Sequence, residues 1–219
     1  SLKIKSTIFM PKTTPSIKVD SVRNLGAKVI LIGDNFDAAL EDSLLFCKNK
    51  KLPFIHPFDD PLVIAGQGTI GKELLDQFDE NIDIVFVAVG GGGLISGIGA
   101  YIKSVKPKIK IIAVEAADAA GLNASLKADK RIKLQEVGLF ADGAAAKQIG
   151  KYNYKLIKEW IDDSITVSTD EICAAVKDTF IDTRTIPEPT GALALAGLKK
   201  YVTSKRIRNK NLIATYCGS

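Results

Sequence analysis

The chain has 219 residues, 46% hydrophobic and 25% charged, with 18 glycines and 8 prolines. That is too apolar for a disordered chain and long enough for one large domain or two small ones. The net charge of +5 is modest, and no apolar run is long enough to span a membrane.

Ser6 to Met10 is a short apolar run stopped by Pro11 and reads as a strand. From Ser16, Ile17, Val22 and Leu25 fall on one helical face, with Gly26 as the C-cap. Residues 27–32 read as a buried strand, Phe36 to Asn49 as a helix carrying Leu40, Leu44 and Leu45, and Phe54-Ile55 as another short strand. Asp60-Pro61 supplies an N-cap and a first-turn proline for a helix reaching about Phe78. Ile84 to Val89 is continuously apolar, as in a parallel strand covered on both faces. Four glycines follow, then a helix over 94–105, a strand over 109–114 and a helix over 117–126. Residues 127–150 are irregular and glycine-punctuated, and 151–167 receive no element. Ser168 or Thr169 caps a helix with Ile172, Val176 and Phe180, Thr190 caps another over 191–201, and Leu212 to Tyr216 is a closing strand. Alternating strands and helices predict a parallel α/β fold with right-handed crossovers. The expected boundary lies at Pro57-Phe58-Asp59.

Three cysteines, Cys47, Cys173 and Cys217, are too few and too scattered for a disulfide framework or a four-cysteine zinc site. They point to a reducing, cytoplasmic setting. Charges interrupt Ser1-Leu2-Lys3-Ile4-Lys5, so it does not read as a signal peptide. A single histidine, His56, argues against multi-histidine metal sites. The cluster Lys199, Lys200, Lys205, Arg206, Arg208 and Lys210 has only Tyr201 as an aromatic neighbour, so it reads as a solvated surface rather than a nucleic-acid patch.

The chemistry centres on Gly90-Gly91-Gly92-Gly93-Leu94, between the most apolar strand and a helix. Glycines there leave backbone N–H groups open, and the helix adds its positive N-terminal end. One or two glycines would suffice for a turn, so four point to an anion cradle. The dinucleotide pattern G-x-G-x-x-G fails, with Ile95 or Ser96 at its last position, and Glu115 at the end of the next strand, placed like a ribose-binding acid, does not restore it. Gly66 to Lys72 nearly spells a nucleotide-triphosphate loop. Glu73 stands where a magnesium-binding hydroxyl is needed, however, and the segment lies within a helix.

The segment Val87 to Leu94 resembles the phosphate loop of fold-type II pyridoxal-phosphate enzymes. The likeness widens to residues 15–20, 60–69, 114–116, 136–143 and 188–194, all of which resemble threonine dehydratase; serine dehydratases and serine racemases share several of them in looser form. The resemblance implies a tryptophan synthase β-like α/β fold: residues 1–58 from a small α/β domain and 59–219 from the large cofactor domain. It implies that Gly90, Gly91, Gly92, Gly93 and Leu94 hold the phosphate of pyridoxal 5'-phosphate through backbone donors. By the same resemblance, Cys217 faces the pyridine nitrogen and Glu188, set between two prolines, comes near the cofactor. A thiol leaves that nitrogen largely unprotonated, which favours prompt loss of a β-hydroxyl over transamination. Ala141-Asp142 resembles a cation-binding segment of some relatives and reads here as a bare loop; no metal is expected.

The family's Ser-x-Lys-x-Arg-Gly stretch, with the Schiff-base lysine, is absent from the sequence. Ser16-Ile17-Lys18 imitates its start, but Val19-Asp20 follow. The asparagine loop that cups the substrate carboxylate is absent too, and both segments are expected upstream of Ser1. The resemblance therefore implies an internal piece of an enzyme, inactive alone, with uncovered sheet edges and either an oligomeric or complementing partner chain or marginal stability. The expected reaction is conversion of L-threonine or L-serine to 2-oxobutanoate or pyruvate and ammonia, in isoleucine biosynthesis or threonine catabolism. The alternatives are a non-catalytic binder of a phosphate ligand or partner chain, and a serine racemase or serine dehydratase relative. Neither a membrane nor a nucleic-acid partner is expected.

Overall fold

The computed structural model describes residues 4–78 and 81–218. The first three residues, which entered the leader-peptide reading, lie outside it. The chain divides into two compact units, Ser1–Ile55 and His56–Ser219; the sequence reading set the boundary after residue 58.

In the first unit, β1 (Thr7–Met10) pairs in parallel with β2 (Lys28–Leu31), Thr7 opposite Lys28 and Met10 opposite Leu31. The crossover is α1 (Ser16–Asn24), and α2 (Phe36–Lys50) follows β2. The Asn35 side chain starts α2 by accepting from the Ala38 N–H at 3.0 Å, and Phe9 of β1 packs on Phe46 of α2 with ring centroids 5.2 Å apart. Phe54-Ile55 forms no strand. Pro53 removes a ladder donor immediately before it, and two residues cannot hold a register.

The second unit is a parallel sheet in the order β5-β4-β3-β6. Its strands are β3 (Ile84–Ala88), β4 (Lys110–Ala116), β5 (Asp163–Val167) and β6 (Leu212–Ala214). The helices are α3 (Pro61–Gln77), α4 (Gly93–Val105), α5 (Gly121–Lys127), α6 (Lys151–Trp160), α7 (Thr169–Thr183) and α8 (Pro189–Lys205). Alternation along β3 divides two cores. Ile84, Phe86 and Ala88 face Ile172 and Ala175 of α7 and Leu193 and Ala196 of α8. Val85, Val87 and Val89 face Ile95, Ile98 and Ile102 of α4 with Ile157 of α6. Each such large aliphatic side chain contributes about 1.5–3 kcal/mol by leaving water.

The sequence missed α6 and β5. The expected helix over 117–126 is instead a 3-10 turn, Ala117–Ala119, followed by α5. The closing strand stops at Ala214 rather than Tyr216. Ser168 caps α7 in a reciprocal pair with Glu171: the Ser168 Oγ accepts from the Glu171 N–H, and the Glu171 carboxylate accepts from the Ser168 N–H. Thr190 does not cap α8. Glu188 holds the N-cap position and Pro189 the first turn, because proline there gives up only an amide that lacks a helical partner.

The Gly66–Lys72 segment lies wholly within α3. A Cβ on Gly71 would lie 3.0 Å from the Ile98 carbonyl, and one on Gly97 would lie 2.6 Å from the Gly68 amide nitrogen. These glycines let α3 and α4 cross backbone to backbone, which accounts for a glycine pattern that mimics a nucleotide loop. In the basic cluster, Lys199 pairs with Asp178, Lys200 with Glu171, Lys205 with Asp163 and Lys210 with Asp83. Among the described residues no helix is long and apolar enough to cross a membrane.

Candidate functional site

The carboxyl end of β3 leads into the glycine run. The Val89 N–H donates to the Val114 carbonyl at 2.9 Å, the last cross-strand bond before the chain turns. Gly92, at φ 97°, is the N-cap of α4 and offers no side chain to cap it. The amides of Gly91, Gly92, Gly93 and Leu94 donate to no protein oxygen among the described residues. Four unpartnered donors at the positive end of a 13-residue helix are the kind of group an anion can satisfy.

The number of glycines has a separate cause. A Cβ on Gly90 would lie 2.8 Å from Ala144 Cα, and one on Gly91 would enter the Phe58 ring. One on Gly92 would lie 2.5 Å from Ile149 Cδ1, and one on Gly93 3.0 Å from Phe58 Cβ. All four positions are thus closed to side chains by the protein's own packing. The premise that one or two glycines would suffice here is therefore wrong, and the anion reading rests on the unpartnered amides rather than on the count.

Ala144, against Gly90, leads to the second wall. It ends a 3-10 turn, Asp142–Ala144. A Cβ on the adjacent Gly143 would lie 3.0 Å from Thr190 Oγ1 and 3.2 Å from Glu188 Oε1. The Glu188 N–H donates to the Gly218 carbonyl at 3.3 Å, and a Cβ on Gly191 would lie 2.7 Å from the Cys217 carbonyl. The structure therefore brings the glycine run, the 3-10 turn, the start of α8 and the residues after β6 to one end of the sheet. In an open parallel sheet, that end is where ligands bind. Burial pushes the Cys217 thiol pKa up, and the nearby Glu188 carboxylate adds to the rise. Among the described residues, the buried Thr190 Oγ1 has no hydrogen-bond partner. The sequence reading assigned Thr190 to a helix cap, whereas the structure sets its hydroxyl beside Gly143.

Two other candidates have different surroundings. Glu115 is fully buried and accepts from the Leu122 and Asn123 N–H groups, each at 2.7 Å. It serves the first turn of α5 rather than a ribose, and burial pushes its pKa up to about 7. Lys18 lies on α1 of the first unit. Among the described residues, no group of three or more His, Cys, Asp or Glu is placed to hold a metal ion.

Known proteins match this chain over nearly its whole length. The family model described as pyridoxal-phosphate dependent enzyme matches residues 1–218. Threonine dehydratase, mitochondrial, of Schizosaccharomyces pombe is 52% identical over 212 residues, covering 96% of this chain and 35% of that protein. The solved structure of the processed form of threonine deaminase isoform 2 from Solanum lycopersicum has a TM-score of 0.94 at 44% identity, covering 99% of this chain and 60% of that one. Serine racemase from Dictyostelium discoideum has a TM-score of 0.84 at 32% identity, covering 98% and 68%. This chain therefore spans about a third of the length of the yeast relative.

Proposed function

The chain belongs to the pyridoxal-phosphate dependent enzyme family, and from that premise we propose that it serves the dehydration and deamination of L-threonine or L-serine to 2-oxobutanoate or pyruvate and ammonia. Isoleucine biosynthesis and threonine catabolism are the two settings for that reaction. The observation that carries the reading is the set of unpartnered amides from Gly91 to Leu94 at the start of α4. They suit a phosphate ester, which needs several donors and no side-chain base.

Bound there, pyridoxal phosphate supplies a ring that withdraws electrons from the α-carbon of an amino acid. The chain's own residues set the terms. Gly90 to Leu94 bind the phosphate. The Cys217 thiol, its pKa raised by burial and by Glu188, stays neutral near pH 7. Placed at the pyridine nitrogen, it gives that nitrogen no acid strong enough to protonate it. Glu188 and Thr190 lie against Gly143 and so back the 3-10 turn that packs on Gly90. No lysine of this sequence stands in the family's Ser-x-Lys-x-Arg-Gly setting, so the chain by itself is proposed to bind the cofactor without turning over threonine.

The test is a titration with pyridoxal phosphate, followed by absorbance, with inorganic phosphate as competitor. Binding that phosphate displaces is expected. Borohydride treatment is expected to leave no single lysine labelled. Binding indifferent to phosphate, or stoichiometric labelling of one lysine with threonine turnover, would overturn the respective part of the reading.

The similarity to Dictyostelium serine racemase supports a second reading, racemisation of serine. Chiral chromatography of L-serine, incubated with pyridoxal phosphate and the chain together with a complementing chain, separates D-serine from pyruvate.

We further propose self-association or a complementing chain. Leu62, Ile186 and Tyr216 are among the exposed large apolar side chains that support it. Sedimentation of the purified chain tests this. A cytoplasmic setting suits three free thiols. The yeast relative is named as mitochondrial, so imaging of the tagged protein decides the compartment.

A further inference from the structure

The glycine run is held from behind by one buried side chain, that of Asn153. Its Nδ2 donates to the Gly91 carbonyl at 3.1 Å and to the Phe58 carbonyl at 2.8 Å. The Gly150 N–H donates to the same Gly91 carbonyl at 3.0 Å. A peptide unit is planar, so fixing the Gly91 carbonyl fixes the direction of the Gly92 N–H on its opposite side. That N–H is one of the unpartnered amides. Without such a hold, a Gly-Gly peptide can rotate at little cost, because glycine on both sides tolerates either orientation.

Asn153 is itself fixed. Asp59 accepts from the N–H groups of Lys151 at 2.7 Å, Tyr152 at 2.9 Å and Asn153 at 3.2 Å, which caps the first turn of α6. Asn153 is fully buried, and a Cβ on Gly92 would lie 3.0 Å from its own Cβ. Its Nδ2 thus has little freedom to leave the Gly91 carbonyl.

We infer that Asn153 is a positioning residue for phosphate recognition: by holding the Gly91 carbonyl, it aims the Gly92 amide at the bound phosphate. Asn153 touches no ligand in this scheme and acts only through the glycine backbone. The inference rests on the reading of the glycine run as the phosphate site of the cofactor.

The test compares the affinities of pyridoxal phosphate and pyridoxal, which differ only in the phosphate. It uses the full chain, Asn153→Ala and Asn153→Ser. Neither shortened side chain reaches the Gly91 carbonyl. Ile157→Val, in the same helix and equally buried, controls for general loosening of α6. Should either Asn153 variant fail to fold, the other carries the comparison, and the amide chemical shift of Gly92 on addition of inorganic phosphate is read in parallel. The expected result is at least a tenfold fall in the preference for the phosphorylated form in the Asn153 variants, with pyridoxal affinity unchanged and Ile157→Val like the parent. A parent that shows no preference for the phosphorylated form overturns the cofactor reading and this inference with it. A parent preference that persists in the folded Asn153 variants, or that falls equally in Ile157→Val, overturns this inference alone.

Discussion

The ring of Phe58 occupies the space that a side chain on Gly91 would need. Phe58 opens the second unit just ahead of α3, whereas Gly91 leads into α4. The glycine turn therefore lies against an aromatic floor built from a distant part of the chain. Gly91→Ala should lower stability by about 1–3 kcal/mol, the usual cost of overpacking a closed site. Gly91→Ala combined with Phe58→Leu should recover part of that loss, because the smaller, more flexible side chain can yield. Denaturant melts of both singles and the double give the coupling; strict additivity would show that the two residues do not compete for this space.

The α3–α4 crossing separates two kinds of glycine. A Cβ on Gly66 meets nothing within 4 Å, so Gly66→Ala should stabilise the chain by about 0.5–1 kcal/mol through helix propensity alone. A Cβ on Gly97 would press on the Ile64 carbonyl and the Gly68 amide, so Gly97→Ala should destabilise by roughly 1–3 kcal/mol. Thermal melts of the two variants should move in opposite directions.

Glu115 gives a pH dependence of definite sign. Its folded pKa, about 7, lies above the ordinary value of 4.5 because the carboxyl is buried. Its contribution to stability is therefore fully present below pH 4.5 and is lost as pH rises through about 7. The loss is at most about 3 kcal/mol for a shift of this size. Glu115→Gln does not titrate, so the parent should lose stability relative to the variant between pH 4 and pH 8. A stability gap that stays flat, or that turns toward the parent as pH rises, would contradict a raised pKa.

Cys217 and Cys173 should differ in reactivity. Cys173 is exposed, whereas Cys217 is partly buried and its pKa is raised by burial and by Glu188. At pH 8, iodoacetamide should label Cys173 well before Cys217. Glu188→Gln should speed labelling of Cys217 by lowering the cost of the thiolate. Peptide mass mapping over time reads both rates, and equal rates for the two thiols would show that Cys217 is not held protonated.

How much could be read in advance depended on where the signal lay. β3 was legible because both faces of it are buried, so Ile84 to Val89 is apolar without a break. α3 was legible because Asp60 and Pro61 mark its start locally. α6 was not, since its cap comes from Asp59 across 92 residues and Lys151 follows Gly150 with no local capping side chain. β5 is half-buried at the sheet edge, and Asp163-Ser164-Ile165-Thr166-Val167 is too mixed to stand out. At the site, the glycine run could be read, but the hold by Asn153 could not, because an isolated asparagine in a charged helix carries no pattern. The role of Glu115 was hidden for the same reason: its burial and its α5 partners exist only in the folded sheet.

The bond between Asp59 and the first turn of α6 also orders events during synthesis. The ribosome releases Asp59 long before Lys151, so α6 emerges to find its acceptor already made. Asp59 thus ties chain made early to a helix made late, and the first turn of α6 gains its cap only when both are present.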